Sequence, residues 1–234
     1  MSITETPYDL RRKQLEEYFD RTAVDAWAKL TSNEPVGKIR ATVREGRDRM
    51  RATLLGFLPE DLRGQRVLDA GCGTGALAVA AAERGADVVA IDLSPTLIGL
   101  ARERCVHHGP GTIDFRVSDM LEPSLGRFDW VVAMDSLIHY RPADMVEMIA
   151  RLGANADRGL AFTFAPRTPL LAIMHALGRV FPRGNRAPDL EPIAEKQLRT
   201  LIDAHPTMRA FQIERTQHID VGFYMSSAME LVRR

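Results

Sequence analysis

Val67-Leu68-Asp69-Ala70-Gly71-Cys72-Gly73-Thr74-Gly75 places three alternating glycines directly after a short apolar run. The run reads as a buried strand. Its first glycine permits a tight turn into a following helix, and the other two remove Cβ atoms that would keep a ligand off the main chain. Spacing then narrows the ligand. A dinucleotide loop has the pattern Gly-x-Gly-x-x-Gly and offers its helix N-terminus to a pyrophosphate, whereas here the third glycine comes one residue early and an acid, Asp69, precedes the loop. Asp69 would repel an anion. A nucleotide-like cofactor with a positive charge fits, such as the ammonium and sulfonium of S-adenosylmethionine.

Working outward, Ala86 to Asp92 reads as a second buried strand ending in an acid. Asp92 lies about 20 residues beyond the glycine loop, where a ribose-binding carboxylate is expected. A third strand, Ile113 to Val117, leads into Ser118-Asp119-Met120. The loop and these strand ends resemble the class I S-adenosylmethionine-dependent methyltransferases. The resemblance implies that Asp69, Gly71, Cys72, Gly73 and Gly75 surround the methionine part of the cofactor, with Leu93 beside the ribose acid. It also implies that Asp119 meets the adenine amino group and that Met120 lies against the adenine ring. Cys72 and Cys105 have no metal-ligand spacing and read as reduced thiols.

Composition limits the alternatives. The 234 residues, 45% of them hydrophobic, suffice for one α/β domain with an added subdomain. Lys plus Arg and Asp plus Glu each total 31, so there is no overall basic field for non-specific nucleic-acid binding. No apolar run approaches the roughly 20 residues that span a bilayer, and Met1 to Leu10 is polar rather than signal-like. These features predict a chain that stays in the cytoplasm.

Residues 66–164 alternate apolar strands with helical stretches, the pattern of a parallel sheet covered on both faces. Strands are predicted at 66–70, 87–92, 112–117, 128–134 and 159–164. Helices are predicted at 76–84, 95–107 and 142–152, two of them opening on proline. A further helix at 195–204 precedes two terminal strands, Met208 to Ile219 and Gly222 to Arg234. The expected fold is a Rossmann-like α/β class I methyltransferase: a mostly parallel seven-stranded sheet with an antiparallel C-terminal edge hairpin. An N-terminal helical lid spans residues 1–60, and residues 61–234 form the cofactor-binding domain, with a substrate-binding helical insertion at 165–194.

Substrate identity falls to the lid and the insertion, because fold and cofactor do not fix it. In the lid, Tyr8 to Leu30 reads as one helix, ending in Trp27 and Leu30. A second starts near Pro35 and aligns Ile39, Val43, Met50, Leu54 and Phe57 on one face. Its remaining surface bears Lys38, Arg40, Arg44, Arg47, Arg49 and Arg51 against only Glu45 and Asp48, a pattern that also suits a solvated face. The insertion holds Arg167, Arg179, Arg183 and Arg186 among apolar residues and no acid before Pro188. Guanidiniums around an apolar surface suit a large flat molecule bearing carboxylates.

The block YFDRTAVDAWAKLTSNEPVGKIRATVREGRDRMR from Tyr18, with VVAMDSLIHY, TFAPRTPLL and FYMSSAMEL, is similar to the magnesium-protoporphyrin IX O-methyltransferases of bacteriochlorophyll biosynthesis. The similarity covers nearly the whole chain. It implies methylation of one porphyrin propionate, with S-adenosylhomocysteine as the other product. It further implies substrate delivery from a magnesium chelatase subunit and loose association with photosynthetic membranes. A propionate is ionised at neutral pH and needs no strong base, so placement dominates the chemistry. His139 can hydrogen-bond the carboxylate, ligate the porphyrin magnesium or pack locally, and magnesium's preference for oxygen favours the first role. Tyr18 can bond the carboxylate or the cofactor, or pack in the core. Asp135 can contact the cofactor, orient His139 or serve the fold alone. Arg40, Arg44, Arg167 and Arg183 are the candidate propionate partners. The other histidines, His107, His108, His175, His205 and His218, show no metal-ligand pattern. Two other readings stay open: a methyltransferase for another small molecule, such as a quinone precursor, and a module that binds S-adenosylmethionine without catalysis.

Overall fold

The computed structural model describes residues 7–22, 37–167 and 190–234. Trp27, Leu30, Arg179, Arg183 and Arg186 lie outside the described residues. Two helices come first: α1 (Pro7–Glu17), continued by a π-helical turn at Tyr18–Thr22, and α2 (Lys38–Phe57). The alternating region follows as β1 (Arg66–Ala70), α3 (Ala76–Glu83), β2 (Asp87–Asp92), α4 (Pro95–Arg104), β3 (Thr112–Val117), β4 (Phe128–Ala133), α5 (Pro142–Ala154) and β5 (Ala156–Phe164). The chain closes with α6 (Glu195–Ala204), β6 (Phe211–Val221) and β7 (Tyr224–Arg233).

The seven strands form one sheet in the order β3-β2-β1-β4-β5-β7-β6. β1 to β5 run parallel, and β7 lies antiparallel to both β5 and β6. Because side chains alternate along a strand, the core divides in two. Leu68, Val131 and Phe162 face the layer of α5 and α6. Val67, Val132 and Ala161 face the layer that includes α2 and α3. β1 sits between β2 and β4, so the crossovers leave it in opposite directions and a crevice opens at its C-terminal end. Among the described residues no helix is long and apolar enough to cross a membrane.

Three boundaries differ most from expectation, for local reasons. α4 stops at Arg104 rather than near residue 107. The following segment must press Gly109 and Gly111 against the end of α3: a Cβ on Gly109 would lie 2.4 Å from Glu83 Cα, and one on Gly111 2.3 Å from Ala86 O. β5 begins three residues early, at Ala156, across a register shift between Phe128 and Trp130. Met208 belongs to a 3₁₀ turn opened by Pro206, so β6 starts at Phe211, and the hairpin turns on Gly222 at φ 59°.

In α2, Met50, Leu54 and Phe57 are buried as expected, whereas Ile39 is exposed. Its C-terminal half is therefore part of the layer covering the sheet. Burying each such apolar side chain contributes about 1.5–3 kcal/mol. The C-terminus of α2 is also pinned by Arg215 of β6, whose Nη2 donates to Phe57 O at 3.2 Å while Nε donates to the buried Glu230 at 2.6 Å. α1 is held differently, chiefly by polar contacts described below.

Candidate active site

A cavity of about 340 Å³ lies at the C-terminal ends of β1, β2 and β4. Its floor is the glycine loop. Gly71 N and Cys72 N donate to Ile91 O at 2.9 and 2.8 Å, bending the chain off β1. Gly71 needs to be glycine twice over: its φ is 84°, and a Cβ would lie 2.5 Å from Ser136 Cβ. Gly73, at φ 56°, lines the cavity, and a Cβ there would meet no atom within 4 Å. Gly75 is not among the lining residues. It lets the start of α3 close onto the Phe115 ring, which a Cβ would approach to 2.8 Å.

Two acids set the charge. Asp92 accepts from Gly73 N at 2.9 Å and Ser94 N at 3.0 Å, tying the two strand ends together, and burial raises its pKa. Asp69 is 1% exposed, and its Oδ2 has no hydrogen-bond partner among the described residues. Burial first, and repulsion from Asp92 second, push its pKa up to about 7. An unsatisfied buried carboxylate oxygen is costly unless something binds it. The site thus fits the cofactor expected from the sequence: Asp69 would receive the ammonium, the loop backbone would lie along the methionine part, and Asp92 would receive the ribose. Burial and the two carboxylates also hold the Cys72 thiol protonated, in keeping with a reduced, inert group.

The predicted residues separate. Asp69, Gly71, Cys72, Gly73, Asp92, Leu93, Met120, Asp135, His139 and Arg44 all line the cavity. Asp119 does not. Its Oδ1 accepts from Tyr8 OH at 2.7 Å and Leu121 N at 2.8 Å, and Oδ2 lies 3.5 Å from Arg12, so the carboxylate holds α1 while its neighbours Ser118 and Met120 face the cavity. Tyr18 is half-buried and packs edge-on against Phe19; it is Phe19 that reaches the cavity, 5.8 Å from the His139 ring. Arg40 and Arg167 are exposed and outside the lining. Arg183 lies outside the described residues.

α1 covers this floor by joining distant parts of it. Tyr8 stacks on Tyr140 at 5.6 Å, Arg11 Nε donates to His139 O at 2.8 Å, and Leu15 lines the cavity. In the turn after α1, Asp20 Oδ1 accepts from Ser94 Oγ, Thr96 N and Thr96 Oγ1 at the N-terminus of α4.

On α2, three lining residues were missed as site residues: Arg47, Asp48 and Arg51. With Arg44 they recur at i, i+3, i+4 and i+7, one helical face, and that spacing was the available signal. Arg47 Nη1 donates to Asp135 Oδ2 at 2.6 Å, and Arg51 pairs with Asp48 at 2.8 Å. Tyr224, also missed, donates to Asp135 from β7.

Comparison with known proteins supplies relatives for this arrangement. Residues 133–233 match the family described as magnesium-protoporphyrin IX methyltransferase C-terminus, and residues 67–156 match a methyltransferase domain. The chain is 48% identical over 220 residues to the magnesium-protoporphyrin O-methyltransferase of Rhodobacter capsulatus, covering 94% of this chain and 95% of that one. A crystal structure of magnesium protoporphyrin IX methyltransferase from Synechocystis PCC 6803 with bound S-adenosylhomocysteine is similar with a TM-score of 0.80 and 29% identity, covering 96% of this chain and 100% of that one. Its counterpart with bound S-adenosylmethionine gives 0.77 and 26%, covering 100% of both chains.

Proposed function

Because this chain belongs to the magnesium-protoporphyrin O-methyltransferase family, we propose that it methylates one propionate of magnesium-protoporphyrin IX with S-adenosylmethionine, giving the monomethyl ester and S-adenosylhomocysteine in bacteriochlorophyll biosynthesis. The observation that carries the reading is the buried, unsatisfied Asp69 carboxylate at one end of a cavity whose walls also bear His139 and Arg44. One end suits a cation, and the α2 wall suits a carboxylate.

When bound, the cofactor supplies an electrophilic methyl on a sulfonium, and the bond from that carbon to sulfur breaks with its electron pair going to sulfur. The chain's own work is placement. The propionate is already ionised near neutrality, so no side chain has to remove a proton before the oxygen–carbon bond forms. Holding that oxygen in line with the methyl supplies roughly 7–11 kcal/mol through proximity and orientation. His139 would orient the carboxylate, and Arg44 on the cavity wall would pair with a propionate; Arg40, Arg167 and Arg183 are proposed only as further partners for the second propionate. Opposite charges disappear during transfer, so a site closed to water favours reaction, which gives residues 1–60 a purpose as cover. Residues 61–234 would form the cofactor domain, with residues 165–194 proposed as its substrate-binding insertion.

The test is a competition. Labelled-methyl cofactor is offered with magnesium-protoporphyrin and a catecholic quinone precursor together. Label should enter the porphyrin; label entering the catechol instead would overturn the choice of acceptor. Family membership also supports delivery of the porphyrin by a magnesium chelatase subunit and peripheral contact with photosynthetic membranes. Retention of the chain by immobilised chelatase subunit and by vesicles of anionic lipid checks each separately.

A further inference from the structure

Asp135 has the only positive φ, 54°, of any non-glycine among the described residues. A left-handed aspartate persists only where its surroundings over-determine it, and here three elements do so. Its N–H donates to Thr163 Oγ1 of β5 at 2.7 Å, and that hydroxyl donates back to Oδ1 at 3.3 Å, closing a small ring on a fully buried threonine. Tyr224 OH of β7 donates to Oδ1 and Oδ2 at 3.0 and 3.2 Å. Arg47 Nη1 of α2 donates to Oδ2 at 2.6 Å, and only 21% of the arginine side chain and 9% of the aspartate side chain are exposed. The Tyr224 ring is itself fixed against α2, because a Cβ on Gly46 would lie 2.5 Å from it.

The residues that follow Asp135 form one wall of the cavity. Ser136 Oγ donates to Ala70 O at 2.9 Å, and its Cβ rests on Gly71. Leu137 is fully buried, and the 3₁₀ turn Leu137–His139 then presents His139 to the cavity. The position of that turn is therefore set at its start by the angle of Asp135. Both partners of the ion pair line the cavity, so the pair also fixes the α2 wall relative to the His139 wall.

We infer that Asp135 is a positioning residue, clamped by Arg47, Thr163 and Tyr224, that sets where the Ser136–His139 turn meets the reacting carboxylate. The inference rests on the proposed role of His139 in orienting the substrate. The carboxylate is committed to protein donors on three elements, so its effect on the reaction passes through the turn and not through a bond to the cofactor.

Tyr224→Phe removes one hydroxyl and leaves the ring against Gly46. Asp135→Asn keeps the shape, tolerates the left-handed backbone and removes the charge that holds Arg47. Met208→Ala, a cavity-forming change at the opposite end of the strands, serves as the control for general destabilisation. Three readouts are taken: the ring-proton NMR signal of His139, the cofactor Kd, and kcat with KM for magnesium-protoporphyrin. In both site variants the His139 signal should move and kcat should fall about ten- to a hundredfold, as expected when a reacting group is misplaced by about 1 Å. Cofactor Kd should stay at the wild-type value, and Met208→Ala should leave the His139 signal unmoved. An unmoved His139 signal with wild-type kcat overturns the inference. So does weakened cofactor binding with kcat intact, which would make Asp135 a cofactor ligand. If Asp135→Asn does not fold, Tyr224→Phe decides. The NMR readout needs no turnover, so a wild-type protein inert toward the porphyrin would refute the proposed substrate without touching this result.

Discussion

Asp69 is held in a state that favours its ligand over its own fold. Below its unfolded pKa of 3.8 it is protonated in both states. Between 3.8 and about 7 the folded chain keeps a proton that the unfolded chain has lost, so this residue's stabilising contribution falls as pH rises through that window and is flat above it. A cationic ligand selects the carboxylate, so cofactor affinity should rise with pH up to about 7 and then level off, with a proton released on binding below that point. Asp69→Asn is neutral at every pH. It should raise the Tm of the cofactor-free protein at pH 8, measured by calorimetry. It should also weaken cofactor binding about ten- to a hundredfold, because a charge-assisted contact is worth about 1.5–3 kcal/mol. A variant with lower Tm and unchanged Kd would contradict this assignment. His139→Ala should behave in the opposite way, lowering kcat while cofactor Kd stays at the wild-type value in equilibrium titration.

At the scale of elements, the two N-terminal helices differ in how firmly they are held. α2 is anchored by buried Met50 and Leu54 and by Arg215 at its end, whereas α1 buries one large apolar side chain, Leu15, and otherwise relies on Tyr8, Arg11 and Arg12. Few buried apolar contacts mean low local stability. Amides of α1 should therefore exchange with solvent faster than those of α2, and Tyr8→Phe should speed α1 exchange further without changing α2. Equal protection of the two helices would show α1 to be part of the rigid core. The same contrast explains what sequence reading recovered. β1, β2 and β4 were legible because they are short, largely apolar runs whose ends lead into a glycine or an acid. The α4 terminus was not, because it is set by Gly109 and Gly111 meeting α3, a contact without local signature. Arg47 and Arg51 were seen as charges but not as site residues, since a cationic helix face reads alike whether water or a cavity lies beside it.

For the whole molecule, the fold places chemistry from distant stretches of chain around one crevice at the end of β1. The glycine loop and Asp92 were legible because they follow directly on strands whose ends must meet there. The Tyr224–Asp135 bond spans 89 residues and depends on the antiparallel hairpin returning β7 beside β5, which no spacing encodes. Asp119 shows the converse: a residue rightly placed at a strand end whose carboxylate is taken by α1. The cavity combines the unpartnered Asp69 carboxylate oxygen with Arg44, Arg47 and Arg51 of α2 and with His139. The most direct test is a single-turnover reaction of the purified chain with labelled-methyl S-adenosylmethionine and magnesium-protoporphyrin, followed by mild alkali. The account predicts one label per porphyrin, released by alkali as methanol with recovery of the free acid. Label that resists alkali, or no transfer although both compounds bind, would contradict it.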